Sequence, residues 1–186
     1  DTLDAYDEIT RNTEAAALIE RCGQLYVSTR VNAAQGSSIA QSMRQAAGIE
    51  VIALNENEVR DAEPALAPIF KSGMLIPDNG RCKNPHRLVQ LIAAEAQRNG
   101  ASILRGEVTG FQTNGAQVTG VRVDGKTLPV ERIVIAAGAA SGRLSTQLRT
   151  PLPVEAERGY HITIAEPGVA PRIPVTHVDA KFVCSP

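Results

Sequence analysis

The segment RIVIAAGAASGRL, residues 132–144, constrains the fold of this chain more than any other part of the sequence. Its apolar residues Ile133, Val134 and Ile135 are consecutive, which is typical of a strand covered on both faces, as parallel strands are. Gly138 and a helix-like segment follow. In α/β sheets this order delivers the chain to a nucleotide at the carboxyl end of a strand. No G-x-G-x-x-G turn precedes the segment, so it predicts only half of a nucleotide-binding site.

The composition excludes several classes of protein. A chain of 186 residues with 43% hydrophobic and 21% charged residues is typical of a globular protein of one large or two small domains. The formal net charge is -1 and its lysines and arginines do not cluster, so nucleic acid is not an expected partner. No apolar run approaches the ~18 residues that a membrane span needs.

The cysteines and the chain ends give two further expectations. Cys22, Cys82 and Cys184 are far apart and form no C-x-x-C pair, which predicts reduced thiols in a cytoplasmic protein and no disulfide framework or metal site. The acidic start DTLDAYDEIT has no apolar signal core. The chain lacks an initiator Met and ends at KFVCSP, within a predicted strand, so we expect a piece of a longer protein.

Hydrophobic periodicity and the positions of Gly, Pro and Asn predict alternating helices and strands. Helices are predicted over 2–21 and 37–47, from a capping box of Asn55 and Glu58, and from Asn84 and Pro85 to Gly100. Strands are predicted at QLYVSTR, IEVIAL and FKSGMLIP. A meander with turns at Asn114-Gly115 and Asp124-Gly125 then leads into the apolar segment. After residue 150, prolines separate the strand-like YHITIAE and KFVCSP.

Several stretches form one pattern by their order and spacing: RCGQLYVSTR, NENEVRDAEPAL, GMLIPDNGRCKNPHRLVQLIAAEAQRNGASI, GEVTGFQTNGAQVTGVRVDG, RIVIAAGAASGRL and ERGYHITI. This pattern resembles the middle of an FAD-dependent oxidoreductase of the D-amino-acid oxidase superfamily, and it is most similar to the D-amino-acid dehydrogenase and glycine oxidase branch. Ala140 departs from the family, which commonly has Trp there, and Arg81 and Lys83 stand where the family often has other residues.

The resemblance implies a mixed α/β (α+β) fold. Part of a Rossmann-like FAD domain, made of a helix, a β-meander and a buried strand, would join a substrate domain with a mixed, largely antiparallel sheet. Residues 1–83 would belong to the substrate domain, 84–149 to the second half of the FAD-binding domain, and 150–186 to the return into the substrate-domain sheet. The family's N-terminal G-x-G-x-x-G unit and its C-terminal part are missing, so the chain is expected to be an internal fragment.

The resemblance also implies where the cofactor lies. Val108 is at the strand that offers backbone hydrogen bonds to the adenine of FAD. Ala137, Gly138 and Ala139 are where the backbone passes close to the cofactor, and a Cβ at Gly138 would push the phosphates or ribityl chain away. The alternative is that Gly138 simply ends a strand before a helix. We expect FAD in the parent protein and none on this chain alone.

The substrate contacts implied by the resemblance lie after residue 150. On the predicted strand RGYH, alternation lets Arg158 and Tyr160 face one side and His161 the other. Lys181 and Phe182, with His177, belong to a second pair of strands near the family's active site. The alternative for Arg158 and Tyr160 is a structural one, a rim Arg and a packing Tyr. No catalytic residue is identified.

The parent is expected to oxidise a D-amino acid, glycine or a related amine-bearing acid by hydride transfer to flavin, while the isolated chain is inactive. The partner is a small amino-acid-like substrate, and the electron acceptor, hence oxidase or dehydrogenase, stays open. The expected location is cytoplasmic, with a peripheral membrane location of the parent as the alternative. A 2-hydroxy acid or N-methyl amine substrate remains open, as does a non-catalytic module that binds a ligand or partner.

Overall fold

The computed structural model describes residues 2–186, and the chain forms two compact units. Residues 1–101 and 164–186 form the first unit, and residues 102–163 form the second. The helices are α1 (Thr2–Thr10), α2 (Ser38–Ala46), α3 (Glu56–Ala62), α4 (Pro85–Arg98) and α5 (Ser141–Gln147), with 3₁₀ turns at Glu14–Leu18 and Gly138–Ala140. The strands are β1 (Ile19–Arg21), β2 (Gln24–Ser28), β3 (Ile52–Asn55), β4 (Ser72–Ile76), β5 (Gly80–Cys82), β6 (Val108–Asn114), β7 (Gln117–Val123), β8 (Lys126–Pro129), β9 (Val175–His177) and β10 (Phe182–Cys184).

These units are groups of packed residues, whereas the boundaries predicted at residues 83 and 149 concern functional domains. The units and the predicted domains divide the chain by different criteria, so the units do not test the predicted boundaries. The functional boundaries therefore stay predictions.

A five-stranded sheet in the order β10-β9-β2-β4-β3 lies at the centre of the first unit. β2 and β9 are parallel, and the other neighbouring strands are antiparallel. β1 and β5 form a separate antiparallel pair. The mixed α/β fold predicted from the sequence is therefore confirmed.

The central strand β2 supplies the core of this sheet. Leu25 and Val27 are 0% exposed and pack in one cluster with Val59 of α3, Phe70 and Val175. Because side chains alternate along a strand, Leu25 and Val27 lie on the same face of the sheet, and the residue between these two lies on the opposite face. β2 is therefore the buried central strand of the sheet, with β9 along one edge and β4 along the other.

The helix starts predicted from the sequence are confirmed. The Asn55 side chain accepts hydrogen bonds from the backbone N–H groups of Asn57 and Glu58, and the Glu58 carboxylate accepts from the Asn55 N–H at 2.7 Å, which completes the capping box. Asn84 accepts from the Arg87 N–H at 2.9 Å, and Pro85 occupies the first position of α4. None of the helices described in residues 2–186 is long and apolar enough to cross a membrane.

A buried carboxylate joins the end of α3 to the segment before β9. Glu63 is 1% exposed, and its Oε2 accepts a hydrogen bond from the Arg172 N–H at 2.6 Å. Its other oxygen accepts from the Ala65 N–H at 3.2 Å. The Arg172 guanidinium in turn donates to the Ala62 carbonyl at 3.0 Å. These bonds satisfy a polar group that would be costly to bury alone.

A second carboxylate joins the end of β2 to the turn after β9. Asp179 Oδ2 accepts from Ser28 Oγ at 2.8 Å and from the Thr29 N–H at 2.9 Å, and Oδ1 pairs with the Arg30 guanidinium at 2.7 Å. The hydrogen bond from Ser28, then those from the Thr29 backbone and from Arg30, hold the pKa of the Asp179 carboxyl well below its usual range.

The second unit contains the predicted meander. β6, β7 and β8 form an antiparallel sheet in sequence order. The turns fall at Asn114-Gly115 and Asp124-Gly125, where Gly115 and Gly125 have φ values of 61° and 79°. Positive φ is the backbone conformation that glycine adopts without steric cost, so the turn prediction is confirmed for a physical reason.

Two predicted strands are wrong. Residues 132–136 adopt no strand, and Val134 is 92% exposed, although its apolar neighbours predicted a buried parallel strand. Residues 160–166 are likewise irregular, with Tyr160 88% exposed. A strand needs hydrogen-bonded neighbours, and none of the strands described in residues 2–186 pairs with either segment.

The predicted helix over 2–21 is also wrong beyond its first half. α1 ends at Thr10, because Asn12 has a left-handed φ of 62° and Thr13 starts a new turn by accepting the Ala15 N–H at 3.2 Å. Asn tolerates that conformation better than most residues, and Thr is a good cap. The chain then passes through a 3₁₀ turn into β1.

We predict that Gly73→Ala destabilises the first unit. A Cβ added at Gly73 would lie 2.5 Å from Val59 Cγ2 and 3.3 Å from Leu54 Cβ, so α3 would have to move away from β4. The free energy of unfolding, measured by chemical denaturation, should fall by about 1–3 kcal/mol. Gly159→Ala is the control, because a Cβ there meets nothing within 4 Å. Equal effects of the two substitutions would contradict this packing.

We also predict that Asp179→Asn lowers stability in a pH-dependent manner. Because the pKa of the folded carboxyl is depressed, its contribution is present above the unfolded pKa of about 3.9 and is lost as the pH falls below it. The difference in unfolding free energy between wild type and variant should therefore be largest near neutral pH and shrink in acid. Asp78→Asn, at an exposed turn, should show no such trend. A difference independent of pH would argue against the network.

Candidate functional site

An apolar cleft of about 440 Å³ lies within the second unit. It brings together two of the residues predicted to contact a cofactor, because Val108 of β6 and Ala137 both line it. Phe111 and Leu144, which are 9% and 6% exposed, line it too. The cleft can therefore accept a flat or apolar group beside the start of β6.

The other two predicted cofactor residues come directly after Ala137 in the chain. Gly138 and Ala139 lie in the 3₁₀ turn and are exposed, but they do not line the cleft. Gly138 has a φ of 55°, and a Cβ there would meet nothing within 4 Å in the described part of the chain. Within this chain, backbone conformation is thus the reason for glycine at this position.

A residue that sequence reasoning missed holds this turn in place. Ser141 is 7% exposed, and its Oγ accepts a hydrogen bond from the Ala137 N–H at 3.1 Å. The turn itself closes through the Ala140 N–H, which donates to the Ala137 carbonyl at 3.1 Å. A Ser a few residues after a glycine turn is a signal that could have found it, because hydroxyl groups often satisfy nearby backbone donors.

The predicted substrate residues Arg158, Tyr160 and His161 lie in the irregular part of the second unit. All three are exposed, so the strand alternation predicted for them does not apply. Within residues 2–186 their side chains form no hydrogen bond or ion pair with the protein. Their roles stay predictions.

Lys181 and Phe182 lie in the first unit, where the chain turns from β9 into β10. Lys181 has a φ of 56° and its N–H donates to the His177 carbonyl at 2.8 Å, which closes the turn. Phe182 and Phe70 both contact the His177 ring, with centroids 5.4 Å and 5.2 Å away. Phe182, but not Lys181, lines an apolar pocket of about 380 Å³ beside β2 and β9.

His177 is the one imidazole that lines this pocket. The Ala180 N–H donates to its Nδ1 at 3.3 Å, so the neutral ring carries its proton on Nε2. The ring can therefore offer a single hydrogen-bond donor in apolar surroundings. Among the described residues, no group of His, Cys, Asp or Glu is arranged to hold a metal ion.

The sequence matches one family and several of its members. The model of a family described as FAD dependent oxidoreductase, DAO, matches residues 1–184. A D-amino-acid oxidase from Bradyrhizobium diazoefficiens is 34% identical over 167 residues, which are 89% of this chain and 39% of that protein. A glycine oxidase from Pseudomonas putida is 34% identical over 103 residues, which are 55% of this chain and 28% of that protein. The chain thus spans well under half the length of these relatives.

Solved structures have the same fold. A glycine oxidase from Geobacillus kaustophilus superimposes with a TM-score of 0.65 at 23% identity, covering 80% of this chain and 40% of that one. A glycine oxidase from Bacillus cereus superimposes with a TM-score of 0.64, also at 23% identity, covering 77% of this chain and 39% of that one. With the family model matched over residues 1–184, this chain belongs to the DAO family of FAD-dependent oxidoreductases.

Proposed function

We propose that this chain is part of a longer flavoenzyme that oxidises a D-amino acid, glycine or a related amine-bearing acid. The family match over residues 1–184 carries this proposal. The similarity to a D-amino-acid oxidase over 89% of the chain supports amino acids as the substrate class. In this proposal residues 1–83 and 150–186 belong to the substrate domain and residues 84–149 to the FAD domain.

The residues of the second unit fit part of an FAD site. Val108 lies on β6, which has β7 as its only strand neighbour, so one edge of β6 has no strand partner among the described residues. In this proposal the backbone at that edge binds the edge of a base such as adenine, and the apolar cleft that Val108 lines covers its face. Ala137, Gly138 and Ala139 would lie along the phosphates and ribityl chain. When bound, FAD supplies the acceptor for hydride from the substrate α-carbon.

The residues of the chain would bind and orient the substrate. In the first unit, Phe182 and Phe70 present an apolar wall that suits the side chain of an amino acid, and His177 presents one donor. Lys181 is a further proposed substrate contact in the first unit. Within the second unit, Arg158, Tyr160 and His161 are proposed substrate contacts. Holding the substrate in one orientation lowers the entropic part of the barrier.

The decisive experiment is anaerobic reduction of the full-length protein. We expect it to be yellow and to lose its visible flavin absorbance on addition of a D-amino acid or glycine, and to keep it with the L-enantiomer or a 2-hydroxy acid. The 186-residue chain, purified in parallel, should be colourless and inactive. Reduction by the 2-hydroxy acid alone would favour the other substrate class. An absence of flavin in the full-length protein would contradict the proposal, and stoichiometric FAD on the short chain would show that these residues suffice to hold it.

A matched pair of glycines tests the cofactor contact. Gly138 and Gly168 have φ values of 55° and 69°, and a Cβ at either meets nothing within 4 Å of the described protein. Gly138→Ala and Gly168→Ala should therefore cost similar stability, about 1–2 kcal/mol each. In the full-length protein, Gly138→Ala alone should weaken retention of FAD, measured by flavin release on dilution. Equal retention in both variants would remove Gly138 from the cofactor site.

A further inference from the structure

Asparagine is followed directly by glycine at three places in the chain. These are Asn79-Gly80, Asn99-Gly100 and Asn114-Gly115. In such a pair the asparagine amide can react with the next backbone nitrogen, because glycine has no side chain to block the approach. The first pair lies at the start of β5, the second at the end of α4 and the third at the end of β6. The three pairs therefore differ in how freely their reacting groups can meet.

Two of the three asparagine side chains are held by hydrogen bonds. Asn79 is half-buried, and its Nδ2 donates to Gln24 Oε1 at 2.9 Å. The Asn99 Nδ2 donates to the backbone carbonyl of Glu95 and to the carboxylate of the same residue, at 3.0 Å each. Either amide must give up these bonds before its carbon can reach the next backbone nitrogen.

Asn114 and Gly115 lack such restraints. Both residues are exposed, one at the end of β6 and the other in the turn that leads to β7. The Asn114 side chain and the Gly115 N–H form no hydrogen bond with residues 2–186. The Gly100 N–H, by contrast, donates to the Gln97 carbonyl at 3.0 Å. The two reacting groups of the hairpin are therefore free to approach each other.

We propose that Asn114 is a modification site, at which the side-chain amide is converted to aspartate and isoaspartate without an enzyme. The Gly115 nitrogen forms a bond to Asn114 Cγ while the Cγ–Nδ2 bond breaks, and the proton of the Gly115 N–H leaves with the ammonia. Water then opens the cyclic imide at either carbonyl, which gives aspartate or isoaspartate. No oxidant or reductant takes part, and the site does not depend on the proposed flavin chemistry.

The modification changes the end of the hairpin. Asn114 pairs with Gln117 at the last position of the β6–β7 register. Both products add a negative charge there. The backbone of isoaspartate runs through its side-chain carbons and is longer by a methylene group, so it does not fit this pair. Modified chains should therefore differ from unmodified ones in charge and in the pairing next to the turn.

The site can be tested by incubating the full-length protein in mildly alkaline buffer, followed by trypsin digestion and mass spectrometry. Trypsin places the three pairs in separate peptides, residues 72–81, 99–105 and 106–122. Peptide 106–122 should gain the mass difference between an amide and an acid about tenfold faster than the other two, because hydrogen bonds restrain their amides. This peptide should also accept a methyl group from an isoaspartate-specific carboxyl methyltransferase.

Two variants and an unfolded sample separate the effect of the hairpin from that of the sequence pair. Asn114→Gln should abolish the mass gain of peptide 106–122, because the longer side chain must close a larger ring, and Asn99→Gln should leave that gain unchanged. In denaturant all three peptides should be modified at similar rates. The proposal is overturned if peptide 106–122 of the folded protein is modified no faster than peptide 99–105. It is also overturned if Asn114→Gln keeps the modification or if the same ranking persists in denaturant.

Discussion

The pairing of β2 with β9 is the contact on which the first unit depends. β2 carries the two fully buried residues Leu25 and Val27, and β9 covers one of its edges. Glu63 holds the chain just before β9, and Asp179 holds the chain just after it. Without these contacts β2 would be an edge strand, and the pocket around His177 would lose one wall. The geometry of this pocket thus rests on bonds to a short strand of three residues.

Sequence analysis predicted the features that depend on interactions between residues close together in the chain. The cap at Asn55 and the turns at Gly115 and Gly125 are each formed by residues within four positions of one another. Each of these sequence patterns strongly favours one local structure. The order of such elements was also enough to identify the family, which the match over residues 1–184 confirms. The mixed sheet of the first unit followed from that family resemblance and not from periodicity.

Features that depend on distant partners could not be predicted in the same way. The apolar run at Val134 indicates the surroundings that its side chains suit, but a strand forms only where neighbours supply its hydrogen bonds. Glu63 and Asp179 accept bonds from residues far away in the chain, so no local pattern marks them. Of the predicted cofactor residues, Val108 and Ala137 line one cleft, while Gly138 and Ala139 follow it. Some of the predicted substrate residues lie in an irregular and exposed segment, so the alternation of side chains along a strand could not predict their contacts.

The first unit consists of two stretches of the chain separated by the second unit, and this affects the order in which the units can fold during synthesis. Residues 102–163 are continuous and can fold once they emerge, whereas the first unit must wait for residues 164–186. Until β9 is made, β2 has one open edge, and closing it joins residues about 150 positions apart. Such non-local pairing is slow compared with the folding of a meander. The nascent chain therefore carries an apolar strand with one unpaired edge for that interval, which is the state that chaperones protect.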